Sequence, residues 1–164
     1  MENLSSKAEG PFFREKEHSS SLITIGWKEF VDLPEFHVRH VKAKIDTGAR
    51  TTALDVLGYE LLEDPLAGTV AELRLVLDRK NPTHCKVARV PVLRMVLVSN
   101  SNGVREYRPL IETTLRIGPI SKRVQVTITD RSGMLFRMIV GRRALEGDFI
   151  VDVTKKYLLR RKSP

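Results

Sequence analysis

Cysteine, aromatic residues, long apolar runs and nucleotide-binding motifs are scarce or missing in this chain, and each shortage excludes something. Cys85 is the single cysteine among 164 residues, so no intramolecular disulfide can form, as suits a reducing compartment. No apolar run approaches the ~18 residues of a membrane-spanning helix, and Met1–Ser21 has no hydrophobic h-region. A cytoplasmic protein without membrane contact is therefore expected. Neither the GxxxxGK phosphate loop nor GxGxxG occurs, so any dependence on ATP has to come from a partner enzyme. Aromatics make up 6% of residues and no RNA-binding signature is present, which leaves at most nonspecific contact with nucleic acid. His18, His37, His40 and His84 form no HExxH, and Cys85 has no CxxC mate. His84-Cys85 beside aspartates offers ligand chemistry in principle, but a loop histidine and a packed thiol are the better reading; no metal or cofactor is expected.

Acids are also in the minority: 28 Lys and Arg against 20 Asp and Glu give a formal charge of +8. Lys155–Lys162 holds five cations and no acid, whereas residues 1–22 are net −1. Such a balance favours anionic partners, among them nucleic acid, an acidic membrane surface or an acidic peptide. With 41% hydrophobic and 29% charged residues, the composition is that of one soluble domain with a real core. Its predicted parts are a flexible N-terminal arm at 1–21, a folded domain at 22–154 and a basic, solvated tail at 155–164.

Strand periodicity dominates the middle of the chain. Leu22–Ile25, Lys28–Leu33 and Val41–Ile45 are predicted strands, followed by one from Thr51 toward Tyr59 and another over Val70–Asp78, with loops at Asp64–Gly68 and Arg79–His84. Val87–Val98 and Val104–Ile117 flank Ser99-Asn100-Ser101-Asn102-Gly103, five turn-forming residues that mark a hairpin. Val124–Thr129 alternates again, Ala144-Leu145-Glu146 makes about one helical turn stopped by Gly147, and Phe149, Val151 and Val153 form a last strand. The whole predicts a mostly β protein, a closed small barrel with one short C-terminal helix.

Two stretches carry chemistry. Val41, Ala43 and Ile45 alternate with Lys42 and Lys44, so a half-buried strand delivers Asp46 to a sharp turn. Thr47 can hydrogen-bond backbone groups there, and Gly48 lacks the Cβ that would keep other atoms from the carboxylate. A carboxylate so held is a candidate acid or base, although Asp-Thr-Gly also serves as an ordinary turn. The second stretch, Phe136–Leu145, is an apolar strand followed by Gly141, Arg142, Arg143 and the helical turn.

A hydrophobic strand entering Asp46-Thr47-Gly48-Ala49, with a later apolar strand into Gly141-Arg142, resembles the retropepsin fold of one-domain aspartic proteases. The run from Gly26-Trp27 onward is similar to a bacterial family labelled ATP-dependent zinc proteases. The matching pieces are Gly26–Phe30, Lys42–Leu54, the Cys85 region, Ser99–Gly103 and Thr129–Leu145, about three quarters of the chain.

The resemblance implies that Asp46 is the catalytic acid and base, with Thr47 and Gly48 holding its turn. One such motif per chain is half of an aspartic-protease centre, which needs two carboxyls sharing a proton. A C2 homodimer with its axis through the centre follows, and Phe149–Leu159 acquires an interface role. The Ser99–Gly103 hairpin corresponds to the flap, with Asn102 and Gly103 against substrate. Arg50 stands where retroviral enzymes carry an acid that pairs with the Arg142 position. Two cations cannot pair, so Arg50, Arg142 and Arg137 are expected to bind substrate carboxylates, while Arg143 alone reads as solvent-facing. Members of the resembling family are linked to trimming glutamates that an ATP-grasp ligase adds to a small-subunit ribosomal protein. This implies an acidic peptide tail as substrate and such a ligase as functional partner. Asp55 and Ser132 occupy positions where the family commonly has His and Asp, a departure that bears on turnover more than on fold. Two alternatives stay open: a catalytically inactive binding module on the same scaffold, and the zinc metallopeptidase of the family label.

Overall fold

The computed structural model describes residues 21–76, 83–100, 102–130 and 135–160. His18, Leu77, Ser101, Ser132 and the cations Arg161 and Lys162 of the tail lie outside them. The strands are β1 (Ile23–Gly26), β2 (Lys28–Leu33), β3 (Val38–Ile45), β4 (Thr52–Asp55), β5 (Gly58–Asp64), β6 (Gly68–Val76), β7 (Cys85–Pro91), β8 (Arg94–Ser99), β9 (Arg105–Ile117), β10 (Ile120–Thr129), β11 (Met138–Val140) and β12 (Phe149–Asp152). One short α-helix, α1 (Arg142–Leu145), precedes the last strand.

Six strands close a barrel in the order β10-β4-β11-β3-β2-β9, with β9 pairing back onto β10. The alternation of β3 turns Val41, Ala43 and Ile45 inward and leaves Lys42 and Lys44 exposed. β11 lies between β3 and β4, and its Met138 and Val140 are fully buried. Ile111, Leu115, Val126 and Ile128 complete the interior, each contributing about 1.5–3 kcal/mol by leaving water. The closed small barrel expected from the periodicity is present, with its single α-helix among the described residues.

Three features differ from the strand pattern read along the chain. The run from Thr51 toward Tyr59 breaks at Val56 and Leu57 into β4 of the barrel and β5 of a three-stranded sheet. Val87–Val98 is not one strand: β7 joins β5 and β6 in a separate three-stranded sheet, while β8 pairs with β9. Pro91 ends β7, and the chain crosses between sheets at Val92 and Leu93, whose N–H groups donate to Thr69 O and Leu110 O. The helix starts two residues before the expected turn because Gly141 is extended and the Glu146 N–H closes back on Arg142 O.

Phe149–Leu159 is engaged within its own chain. β12 runs parallel to β1, Ile23 beside Phe149. Beyond it, the Trp27 N–H donates to Lys155 O at 2.9 Å and the Tyr157 N–H to Lys28 O at 2.8 Å. The tail backbone is thus pinned along β2, with Tyr157 stacked on Phe30 at 4.5 Å, while Lys155, Lys156 and Arg160 stay exposed.

Candidate active site

β3 ends at Ile45, whose N–H donates to Trp27 O, and the next amide, Asp46, donates to Val140 O at 2.9 Å. The Asp-Thr-Gly turn is therefore anchored on both sides before its side chains are placed. Asp46 Oδ1 accepts the N–H groups of Gly48 at 3.0 Å and Ala49 at 3.2 Å, the local bonding that favours Asp at the head of a tight turn. A Cβ on Gly48 would stand 3.2 Å from that same oxygen. Oδ2 lies 3.8 Å from Lys44 Nζ, a half-exposed ion pair.

Gly141 fixes the second loop against the first. A Cβ there would come within 2.7 Å of the Thr51 backbone, and the Gly141 N–H donates to Thr52 Oγ1 at 3.2 Å. From this position the Arg142 and Arg143 amides reach Ala49 O and Arg50 O. The Arg142 side chain also turns to the loop: its Nη1 donates to Thr47 O and Gly48 O, both at 3.0 Å. A guanidinium thus satisfies two exposed carbonyls of the Asp46 turn.

Asp46 opens onto a cleft of about 940 Å³ between the β8–β9 hairpin and the outer face of β4, β10 and β11. Arg50 lines it, as do Lys44, Arg94, Arg108 and Arg143, and Asp46 is the one acid among the described lining residues. Arg143 is exposed, in keeping with the solvent-facing reading, and also lines the cleft, whereas Arg142 and Arg137 are outside its lining. Arg137 immediately precedes β11, and its carbonyl accepts the Asp55 N–H at 2.7 Å. Asn102 and Gly103 form the hairpin tip: the Asn102 N–H donates to Asn100 Oδ1 and the Gly103 N–H to Asn100 O. Ser99 and Asn100 are the tip residues that line the cleft. Arg94 and Arg108 escaped the sequence reading, although Arg94, Val96 and Val98 at alternate positions were a signal that one face of this strand is shared.

No three His, Cys, Asp or Glu side chains converge as a metal site among the described residues. No helix among those residues is long and apolar enough to cross a membrane.

Comparison with known proteins agrees with the geometry. A probable alpha-L-glutamate ligase of Desulfotalea psychrophila is 30% identical over 132 residues, covering 78% of this chain and 27% of the relative. Another, from Shewanella pealeana, is 28% identical over 146 residues, covering 88% of this chain and 31% of the relative. The chain spans about three tenths of the length of these curated relatives. A crystal structure of a Legionella pneumophila protein of unknown function shares the fold, with a TM-score of 0.69 at 18% identity over 85% of this chain and 100% of that one. Residues 24–162 match the family described as RimB-like, the retropepsin-like aspartic endopeptidase RimB. With the barrel, the Asp46 turn and that match in agreement, the chain belongs to the RimB-like family of retropepsin-like aspartic endopeptidases.

Proposed function

We propose that the protein is an aspartic-type peptidase that works as a C2 homodimer on acidic, glutamate-rich peptide tails in the cytoplasm. The observation that carries this reading is the cleft at Asp46, lined among the described residues by five cations and a single acid. A low-dielectric groove of one sign concentrates substrate of the other. Relatives named for glutamate ligation support the same substrate class, since joined glutamates form an anionic chain. A tail on a ribosomal protein is one such substrate, and a ligase that builds it is the natural functional partner.

In the dimer, the two Asp46 carboxyls share one proton. The ionised one takes a proton from water as the hydroxyl attacks the peptide carbonyl, and the protonated one donates to the carbonyl oxygen. The tetrahedral diol then collapses: the carboxyl that took the proton from water gives it to the amide nitrogen, and the other carboxylate takes a proton from a diol hydroxyl. The carbon–nitrogen bond breaks, an acid and an amine leave, and the shared proton is restored. Arg142 positions this chemistry through the turn it caps.

The test is Asp46→Asn against a peptide ending in several glutamates, followed by mass spectrometry. Cleavage should disappear while thermal melting is retained; unchanged cleavage removes the mechanism. Sedimentation of the unsubstituted chain at micromolar concentration should show a dimer, and a monomer would leave Asp46 without its mate.

A second reading has one observation in its favour: in the curated relatives the matching stretch is a minority of a chain named for ligation. A scaffold that holds acidic tails for another enzyme would bind the same peptide tightly and release it uncut.

A further inference from the structure

We infer that Arg94 and Arg108, on the inner face of the β8–β9 hairpin, form a specificity site for acidic side chains, which Glu106 occupies in the free protein as a built-in stand-in. The inference rests on the acidic-peptide reading above and adds the residues that read the acid.

Register places the pair. Arg94 stands opposite Leu110 and Val96 opposite Arg108, so Arg94, Val96 and Val98 share a face with Leu110, Arg108 and Glu106. That face looks into the cleft, which Arg94, Val96, Val98, Leu110 and Arg108 line while Glu106 does not. The ladders also set how far each residue lies from the reaction. Thr52, beside Gly141 and the Asp46 loop, pairs with Val126, and Thr129 pairs with Asp55 three residues further along. Leu110 is abreast of Thr127, and continuing that register brings Arg108 abreast of Thr129. Measured along the strands, Arg94 and Arg108 therefore stand one to three residues, roughly 3–10 Å, from the Asp46 end, and two to three strands, roughly 10–14 Å, across from β4. An extended peptide advances about 3.3–3.6 Å per residue, so the acids these arginines meet lie within a few residues of the cut bond.

Burial and charge decide what they do there. The Arg108 side chain is 11% exposed, and a guanidinium so enclosed needs an anion. Glu106 supplies it: Arg108 Nε donates to Glu106 Oε1 at 2.5 Å, and Nη2 pairs with the same oxygen. Glu106 is two residues away on the same strand and its side chain is 36% exposed, so it can yield to another carboxylate without moving the backbone. Exchange of one carboxylate for another keeps the buried charge compensated throughout. Arg94 is exposed and no ion pair of it with a carboxylate is found among the described residues, so it is open to a second acid.

The experiment uses the full chain carrying Asp46→Asn, so that nothing is cut, with a fluorescein-labelled peptide ending in four glutamates and its glutamine counterpart, read by anisotropy. Arg108→Met and Arg94→Met should each weaken glutamate-peptide binding about tenfold. Arg108→Lys should lose part of it, because an ammonium lacks the guanidinium fork. Glu106→Gln should tighten binding about threefold, a gain that misfolding cannot mimic. The glutamine peptide should respond to none of the four. Parent-like binding by Arg94→Met and Arg108→Met, no gain from Glu106→Gln, or no binding by the Asp46→Asn parent overturns the inference. Failure of the peptidase reading shows itself separately, as absence of cleavage by the unsubstituted chain.

Discussion

The Glu29 carboxylate and the Leu158 amide, 129 residues apart, meet at 2.8 Å. Glu29 is fully buried, and its oxygens also accept the N–H groups of Gly26 and Leu159. Three backbone donors lose their acceptor in Glu29→Ala, which should cost about 3 kcal/mol. The readout is a lower urea midpoint. Glu29→Gln keeps one acceptor oxygen and should cost about 1 kcal/mol. A chain ending at Asp152 also loses the Trp27–Lys155 and Tyr157–Lys28 bonds and the Tyr157–Phe30 stack, so it should be destabilised more than Glu29→Ala, and the two combined should cost less than their sum because both remove the Leu158 and Leu159 bonds to Glu29.

Arg142 should behave as a positioning residue. Its Nη1 is committed to Thr47 O and Gly48 O, so Arg142→Ala should lower kcat about tenfold while KM for an acidic peptide moves less than about twofold. Arg142→Lys, which retains one donor, should recover part of the loss. A rise in KM with unchanged kcat would instead mark Arg142 as a binding group.

Gly141→Ala tests how tightly the two loops of the site are fitted. The added methyl would meet Thr51 backbone atoms at 2.7–2.9 Å, and neither partner is a flexible side chain. Overpacking of this kind costs about 1–3 kcal/mol. The melting temperature should fall, and cleavage should fall with it because the Asp46 turn is braced by the same contact.

Acid should loosen the barrel on the side away from the cleft. At Asp32 burial pushes the carboxyl up, but the His40 N–H and the Arg116 guanidinium more than offset it, leaving its pKa below the usual value. At Glu35 the Thr114 hydroxyl is the largest influence, and with Arg123 it overcomes burial to lower the pKa. Groups with depressed folded values add stability that is complete above the unfolded value, near 4, and is lost as pH falls through the lower folded one. The urea midpoint should stay level from pH 7 to 5 and drop below about pH 4. Asp32→Asn should cost about 1 kcal/mol at pH 7, given its partial exposure, and should flatten the acid limb. A midpoint that falls equally in both proteins counts against this assignment.

What could be read in advance was local. The strand into Asp46, the turn at Gly48 and the Gly141-Arg142 step are set within a few residues, and the structure shows each element. The direction of the Arg142 side chain was not legible, because it depends on the Arg142 amide meeting Ala49 O at 2.7 Å from a distant part of the chain. The split of Val87–Val98 was hidden for a related reason: both halves are β-rich, and only their partners, β6 for one and β9 for the other, tell them apart. Arg94 and Arg108 became visible as cleft residues once the register of the hairpin was known. Glu29 looked like one charge in an ordinary strand, since nothing near it in sequence announces an acceptor for Leu158.

The parallel seam of β1 and β12 has a consequence for how the molecule is made. β2 and β3 can pair as soon as both have emerged, but β1 must wait for Phe149 and Glu29 for Leu158. Closing so long a loop is entropically slow. A nascent chain halted before Tyr157 would hold an acid in its interior with part of its donor set missing, and that intermediate is where quality-control proteases would find their opening.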